Sequence, residues 1–247
     1  MILSVEKAFR ILEAFNTMHS RMTLSEVAQQ AGLDLSATQR FCHTLNKLGY
    51  LDKNPVTRQF SLALRVLDLG FNYRHSSQLA TSAMPILQHL SRETEETVNL
   101  TVLEGTDVVY ISRIQSRHVL NTAVMTGTRL PAYCVSPGRA ILSRMPEEDA
   151  LAVVSSSNIV QHTQATIIDP QQIMECIAIG RQQGYVACFE ELYLGDASIA
   201  APIMGAGNKV VGAISIATTL ARFNREEVIS RYSSLIIAAA RSIMVPG

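Results

Sequence analysis

Apolar positions in the first 62 residues recur first at the spacing of amphipathic helices and then in alternation. Three stripes of helical period are followed by one short alternating segment at residues 59–62. Between the second and third stripes stands Gly32, which can end a helix in the left-handed conformation. The pattern predicts three helices and a β-hairpin. The predicted core residues are Val5, Ala8, Phe9, Leu12 and Phe15 in the first helix, Val27, Ala28, Ala31 and Leu33 in the second, and Phe41, Leu45 and Leu48 in the third.

Two short motifs predict where the second and third helices begin. Residues 23–26 and 36–39 both fit the capping box, in which a hydroxyl and an acidic or amide side chain satisfy free N–H groups of a first turn. The first box predicts a helix that begins at Leu24. The second predicts that Ser36 caps the third helix, and the Gln39 side chain then either turns back on Ser36 or points outward.

The order of a capped helix, a turn, a second capped helix and a basic hairpin is typical of a winged helix-turn-helix. Such a module places its second helix in the major groove of DNA, where Gln and Arg read adenine and guanine edges. Basic side chains in the hairpin would hold phosphate, unless they are only solvated. The candidate DNA-contacting residues are Ser36, Thr38, Gln39, Arg40, His43 and Lys47 on the helix, and Lys53 and Arg58 in the hairpin.

Charge is distributed unevenly, although the whole chain is neutral. It holds 21 basic and 21 acidic residues, and positions 1–74 contain nine of the basic and six of the acidic ones. The predicted DNA-binding end therefore carries a net charge of +3, and the remainder carries −3. Because so weakly basic a module would bind DNA poorly alone, we expect a dimer that reads a two-fold site.

The 247 residues suit two domains, and several protein classes are disfavoured. There is no run of eighteen apolar residues to span a membrane, and the N-terminus is amphipathic, unlike a signal peptide. The cysteines are scattered without a C-x-x-C pair, so we expect no metal and no cofactor, and a reducing cytoplasm is the simplest setting. The four cysteines are Cys42, Cys134, Cys176 and Cys188.

Residues 97–217 alternate between strand and helix patterns. Hairpins are predicted at residues 97–111 and 197–218, because alternating segments flank short turns there. Hairpins with helices between them predict an antiparallel sheet covered by helices, the α+β class. A further strand is predicted at residues 120–125, and helices are predicted at 137–145, from 147 onward, at 170–183 and at 225–244.

A helical connection is predicted between the two parts of the chain. Residues 63–79 carry apolar residues at helical spacing, and another helix is predicted near Ser82, with Pro85 in its first turn. The apolar faces of these helices pack either within one chain or between subunits. The predicted domains are a winged helix-turn-helix (1–64), a linker helix (65–80) and a sensor domain (81–247).

Several stretches together resemble the IclR family of bacterial transcriptional regulators along nearly the whole chain. The resemblance implies a winged-helix domain followed by a GAF-like effector-binding domain, and dimers that often pair into tetramers. The sequence of residues 129–134 is most similar to that of the subgroup that controls aromatic-acid and β-ketoadipate catabolism. The stretches are residues 4–15, the helix-turn-helix, residues 127–134 and 136–140, Gly184-Tyr185 with Glu190-Glu191, and residues 198–202.

The second domain is predicted to bind a small organic or aromatic acid. A helix beginning at Pro137 or Gly138 would offer free N–H groups to a carboxylate. Arg129 and Arg139 would add positive charge. The resemblance implies that the strand after Gly184-Tyr185 and the second hairpin close the pocket, which adds three residues to the set. The candidate effector-contacting residues are Met125, Leu130, Ala132, Tyr133, Ser136, Pro137 and Gly138, and, from the resemblance, Cys188, Ser198 and Ser215.

Some of these side chains could instead have a purely structural role. Tyr133 and the two strand serines also suit a core, and Arg139 could pair with an acid on its own helix. Glu190 and Glu191 are expected to hold a loop. The chain departs from the subgroup at residues 186–189, Val-Ala-Cys-Phe, where an acid commonly appears just before the paired acids. Cys188 and Phe189 in place of that acid favour a more apolar or more anionic effector.

The predicted function is therefore that of a DNA-binding transcriptional regulator of catabolic genes that responds to a small acid. Repressor and activator both remain open, and an activator would have RNA polymerase as a further partner. The alternatives are a signalling sensor that acts through protein contacts and a cysteine-dependent enzyme. The enzyme is disfavoured because no local motif places a histidine beside Cys134 or Cys188.

Overall fold

The computed structural model describes residues 2–118 and 124–245. The chain divides into two compact units, Met1–Ser76 and Ser77–Gly247. In the first unit three helices pack together, and a short antiparallel hairpin follows them. Its elements are α1 (Leu3–Glu13), α2 (Leu24–Ala31), α3 (Leu35–Lys47), β1 (Leu51–Lys53), β2 (Phe60–Leu62) and α4 (Val66–Ser76).

The core of the first unit agrees with the apolar pattern on α2 and only in part on α1 and α3. Ile11, Val27 and Cys42 are completely buried. The prediction was wrong for three other side chains, which are about half exposed: Val5 (51%), Phe9 (53%) and Leu48 (50%). The reason is that α1 and α3 each carry more apolar surface than this small core can cover, so an apolar face remains outside.

The predicted start of α2 is confirmed, and that of α3 is corrected. Thr23 and Glu26 form a capping box, and Gly32 ends α2 with a φ of 61°. The cap of α3 is Asp34, whose carboxylate accepts a hydrogen bond of 2.7 Å from the Ala37 N–H. Ser36 lies inside the first turn and donates its own hydroxyl to the same carboxylate oxygen. A charged acceptor at Asp34 thus takes the role expected of the serine.

The helical boundary near residue 77 also differs from the prediction. α4 ends at Ser76 and α5 (Gln78–Thr94) begins at once, with Pro85 in its interior instead of its first turn. Ser77 sets this start, because its hydroxyl accepts a hydrogen bond of 3.2 Å from the Ala80 N–H. The helix predicted to begin near Ser82 therefore begins four residues earlier, at Gln78.

The second unit is built on an antiparallel sheet in the order β5-β4-β3-β8-β7-β6. Both predicted hairpins are confirmed, as β3–β4 and β7–β8. One apolar cluster joins α5 and α9 to the sheet, and a second joins it to α6, α7 and α8. The elements are β3 (Thr97–Glu104), β4 (Asp107–Ile114), β5 (Arg129–Pro131), α6 (Ser136–Leu142), α7 (Glu147–Ser156), α8 (Pro170–Gln183), β6 (Val186–Phe189), β7 (Asp196–Met204), β8 (Val210–Thr219) and α9 (Arg225–Ser242).

The strand predicted at residues 120–125 falls mostly on positions 120–123, which lie outside the described residues. Val124 and Met125 are not in a strand, and the sheet instead gains the three-residue strand β5, paired with β4. The helix expected from Pro137 or Gly138 begins at Ser136. None of the helices in the described ranges has the length and apolar character needed to cross a membrane.

Candidate DNA-contact surface and effector cavity

Five of the predicted DNA-contacting residues line one groove of the first unit. Gln39, Arg40 and His43 are exposed on successive turns of α3, and Lys53 and Arg58 reach the same groove from the hairpin. This groove, which we call the DNA groove, therefore combines side chains that can read bases with cations that can hold phosphate.

The hairpin presents its two cations on a fixed frame. Lys53 Nζ lies 5.2 Å from the centre of the Phe60 ring, a cation–π distance. The Asn54 side chain accepts hydrogen bonds of 2.9 Å from two N–H groups of the turn. Arg58 follows with a positive φ of 62°, and its N–H donates to the Asn54 carbonyl. The turn thus holds the Arg58 backbone in one conformation.

The other predicted DNA-contacting residues do not line the groove. Thr38 is completely buried, and its hydroxyl donates to the Asp34 carbonyl at 2.8 Å, so it is not available to a base. Ser36 is exposed but bonded to Asp34, and Lys47 is exposed at the end of α3. Sequence reasoning missed Ser25, which lines the groove from the first turn of α2, the kind of position that often meets phosphate.

The second unit contains a partly open cavity of about 50 Å³, which we call the effector cavity. Five of the predicted effector residues line it: Leu130, Pro137, Cys188, Ser198 and Ser215. The lining is mixed: polar and charged side chains share it with a few apolar residues such as Val124, Leu130 and Leu192. The lining residues that sequence reasoning missed include Thr97, Asn99, Tyr110, Arg113, His118, Val124, Glu190, Leu192, Tyr193 and Asp196.

Polar side chains in the cavity are connected across neighbouring strands. Asn99 on β3 lies opposite Ser215 on β8 and donates to its hydroxyl at 3.3 Å. Arg113 on β4 donates to the side-chain amide oxygen of Asn99 at 2.8 Å. On the other side, the Ser136 hydroxyl donates to that of Ser198 at 2.9 Å. These groups can offer several donors to an anion.

The remaining predicted effector residues serve packing or lie outside the cavity. Met125 is exposed, and Ala132 is completely buried. Tyr133 is buried as well, and its hydroxyl donates to the Val160 carbonyl at 2.7 Å. A side chain at Gly138 would collide with the backbone of Ala132, so this glycine allows α6 to pack closely and is not needed for the approach of a ligand. Ser136 reaches the cavity only through Ser198.

The two arginines expected to attract an anion are engaged elsewhere. Arg139 is buried and binds both carboxylate oxygens of Glu191, each at 2.6 Å. Its acidic partner therefore lies on the loop after β6 and not on its own helix. Arg129 is paired with Glu104 on the surface. Arg113 is the arginine that lines the cavity.

Burial changes the acid–base properties of the cavity. It raises the pKa of the Cys134 thiol to about 12, and it raises that of Cys188 further, although Arg139 opposes the shift. Thiols with such raised pKa values are poor nucleophiles. Burial also raises the pKa of Asp196 to about 6, against an opposing effect of Arg113. Within the described residues, no cluster of His, Cys, Asp and Glu could hold a metal ion.

Comparison with known proteins agrees with this arrangement. A model of the IclR helix-turn-helix domain matches residues 4–55, and one of the bacterial transcriptional regulator IclR C-terminal domain matches residues 71–245. The Pca regulon regulatory protein of Pseudomonas putida is 32% identical over 97% of this chain and 82% of its own length.

Solved structures show the same fold. The IclR transcriptional regulator of Alicyclobacillus acidocaldarius superposes with a TM-score of 0.86 at 24% identity, over 98% of both chains. An IclR homologue from Microbacterium hydrocarbonoxydans, solved with 4-hydroxybenzoate, superposes with a TM-score of 0.81 at 23% identity, over 97% of both chains. With both family models matched in chain order and a relative above 30% identity, this protein belongs to the IclR family of ligand-responsive, DNA-binding transcriptional regulators.

Proposed function

We propose that this regulator binds an aromatic or other small organic acid in the effector cavity and that the bound acid changes its affinity for an operator of catabolic genes. The observation that carries the proposal is the cavity itself, whose lining combines Asn99, Ser198 and Ser215 with apolar residues such as Val124 and Leu130. Hydroxyl and amide donors suit a carboxylate, and the apolar residues suit a ring. Arg113 adds a cation to the same cavity.

The names of two related proteins support this class of effector. One relative regulates the Pca regulon, and one structural neighbour was solved with 4-hydroxybenzoate. An aromatic acid is larger than the cavity volume of about 50 Å³ easily admits, so its binding would move lining side chains. Such movement is a route by which a bound ligand can favour one arrangement of the protein over another.

For DNA, we propose that Gln39, Arg40 and His43 read base edges and that Lys53 and Arg58 hold phosphate. This division rests on their shared groove and on the chemistry of each side chain. Lys47 and Ser36 would lie at its margin.

We also propose that the protein acts as a homodimer that can pair into a homotetramer. The first unit has an apolar groove whose lining includes Val5, Phe9, Leu48, Tyr50 and Leu69, with very little polar surface. An exposed apolar patch of this kind is typical of an interaction surface. A second copy of the chain would cover it and would supply the second DNA groove that a two-fold operator requires.

The protein would act in the cytoplasm, where its DNA lies. If the bound acid causes the protein to dissociate from the operator, the protein is a repressor. If the acid-bound protein recruits RNA polymerase, the protein is an activator. Transcription in vitro from the target promoter, with and without the acid, separates the two.

Isothermal titration calorimetry on the full chain tests the effector class. Benzoate, 4-hydroxybenzoate and short dicarboxylic acids would be titrated into the wild type and into Ser198→Leu, which fills the cavity from β7. We expect saturable binding of at least one aromatic acid by the wild type and none by the variant. If only the dicarboxylic acids bind, the effector is a dicarboxylic and not an aromatic acid. If the variant binds the acid as well as the wild type does, the acid binds elsewhere in the protein.

A further inference from the structure

The effector cavity contains a carboxylate at a position that sequence analysis did not single out. Asp196, the first residue of β7, lines the cavity together with Arg113 and Tyr193. Cys188 on β6 lies opposite Ser198, two residues from Asp196.

Asp196 differs from the other acids of the cavity in its surroundings. Glu191 is held by Arg139 through both oxygens. Glu190 accepts a hydrogen bond of 3.0 Å from the Gly195 N–H. The Asp196 side chain is instead partly buried; this burial raises its pKa to about 6, and its charged neighbour Arg113 opposes the shift. A carboxylate in such surroundings gains from a further hydrogen-bond donor.

The strand register places the acid-binding donors to one side of Asp196. Ser198 follows two residues later on the same face of β7, about 7 Å along the strand. Ser215 pairs with Ala200, two residues further on. The carboxylate of an effector would be drawn to these hydroxyls and to Arg113, which donates to Asn99 beside Ser215, and it would be repelled by Asp196. The opposite end of the effector would then point toward Asp196.

We propose that Asp196 accepts a hydrogen bond from a hydroxyl group on the effector, at the end away from its carboxylate, and so makes the cavity selective for hydroxylated aromatic acids. This inference rests on the proposed function. With the unsubstituted acid, the ring edge would cover the Asp196 carboxylate without donating to it, which leaves a charged acceptor unsatisfied. A site built to bond a hydroxyl rejects the analogue that lacks it far more strongly than an apolar site does.

The test compares 4-hydroxybenzoate with benzoate by calorimetry on the full chain. The wild type should bind the hydroxylated acid about ten- to a hundredfold more tightly, which is the range for a hydrogen bond to a charged group. Asp196→Asn should reduce this ratio, and Asp196→Ala should bring it near one. Asp107→Asn is the matched control, since Asp107 also begins a strand and is partly exposed but does not line the cavity.

The outcomes separate the inference from the function on which it rests. If the wild type binds both acids equally, or if both Asp196 variants keep its preference, the role of Asp196 is overturned and the aromatic-acid effector stands. If the folded wild type binds neither acid, the proposed effector class itself is overturned. Circular dichroism of each variant establishes that it is folded before titration.

Discussion

Arg139 and Glu191 form a bidentate ion pair across the effector domain, with both hydrogen bonds at 2.6 Å and both side chains almost fully buried. Arg139 lies on α6, whose first turn borders the effector cavity at Pro137. Glu191 lies on the loop after β6 and lines the cavity together with Glu190 and Leu192. The pair therefore ties two walls of the cavity together.

Removal of one partner of this pair should be strongly destabilising. Arg139→Met leaves the Glu191 carboxylate buried and unpaired, and we expect the free energy of unfolding to fall by about 3–5 kcal/mol. The double variant with Glu191→Leu should recover most of the loss, because no buried charge remains. Urea denaturation measures both. Arg129→Met is the control, since its pair with Glu104 is exposed and should contribute at most about 1 kcal/mol. Equal losses for Arg139→Met and Arg129→Met would contradict the account.

Asp196 should make stability depend on pH in a known direction. Its pKa is about 6 in the folded protein, above the ordinary value of 3.8 for an aspartate, so the folded state binds more protons between these values. Stability should therefore fall as the pH rises from about 4 to about 6. Asp196→Asn removes this loss and should be more stable than the wild type at pH 7, by up to about 3 kcal/mol. If the difference in free energy of unfolding between the wild type and Asp196→Asn is the same at pH 4.5 and at pH 7, the pKa of Asp196 is not raised in the folded protein.

Arg40→Ala should abolish specific operator binding while effector affinity remains unchanged. Arg40 lies in the DNA groove, in a unit separate from the effector cavity. Loss of one bidentate base contact costs about 1–3 kcal/mol in each half-site, which is enough to remove discrimination from non-specific DNA. Fluorescence anisotropy with operator and scrambled duplexes measures the ratio. Lys47→Ala, outside the groove, should weaken both complexes only slightly. Normal discrimination by Arg40→Ala would show that another residue reads the bases.

Phe9→Glu should shift the protein toward the monomer. Phe9 is 53% exposed in the apolar groove of the first unit, and a charge there would have to be buried by a second copy. Sedimentation velocity at several concentrations measures the change in association. His89→Glu, an exposed change on α5, serves as a control for added charge. An unchanged sedimentation coefficient for Phe9→Glu would mean that another surface joins the subunits.

The elements that could be predicted from the sequence are those whose signals are local. α8 runs from Pro170 to Gln183 and ends at Gly184, as predicted, because a proline, an apolar stripe and a glycine act within one helix. The start of α3 could not be settled in this way. Asp34 and Ser36 are two residues apart, and both residue types are favourable N-caps. The sequence alone does not decide which of them lies just before the first helical residue.

Contacts between residues that are far apart in the sequence could not be predicted in this way. Arg139 finds its acid 52 positions away, and only the folded sheet brings Glu191 to it. Phe9 has the spacing of a core residue, yet its face stays uncovered in the single chain. Asp196 directly precedes the hairpin predicted at residues 197–218, and only the folded sheet shows that it lines the cavity. In each case the decisive partner lies on another element.

An acid bound in the effector cavity is expected to change the affinity of the protein for DNA. Fluorescence anisotropy with a labelled duplex from upstream of its own coding region, at fixed salt, measures this coupling. We predict that 4-hydroxybenzoate shifts the operator Kd of the wild type at least about fivefold, a typical coupling between two sites, and does not shift that of Ser198→Leu. Tight operator binding that no acid alters, in a wild type shown by calorimetry to bind the acid, would contradict the account.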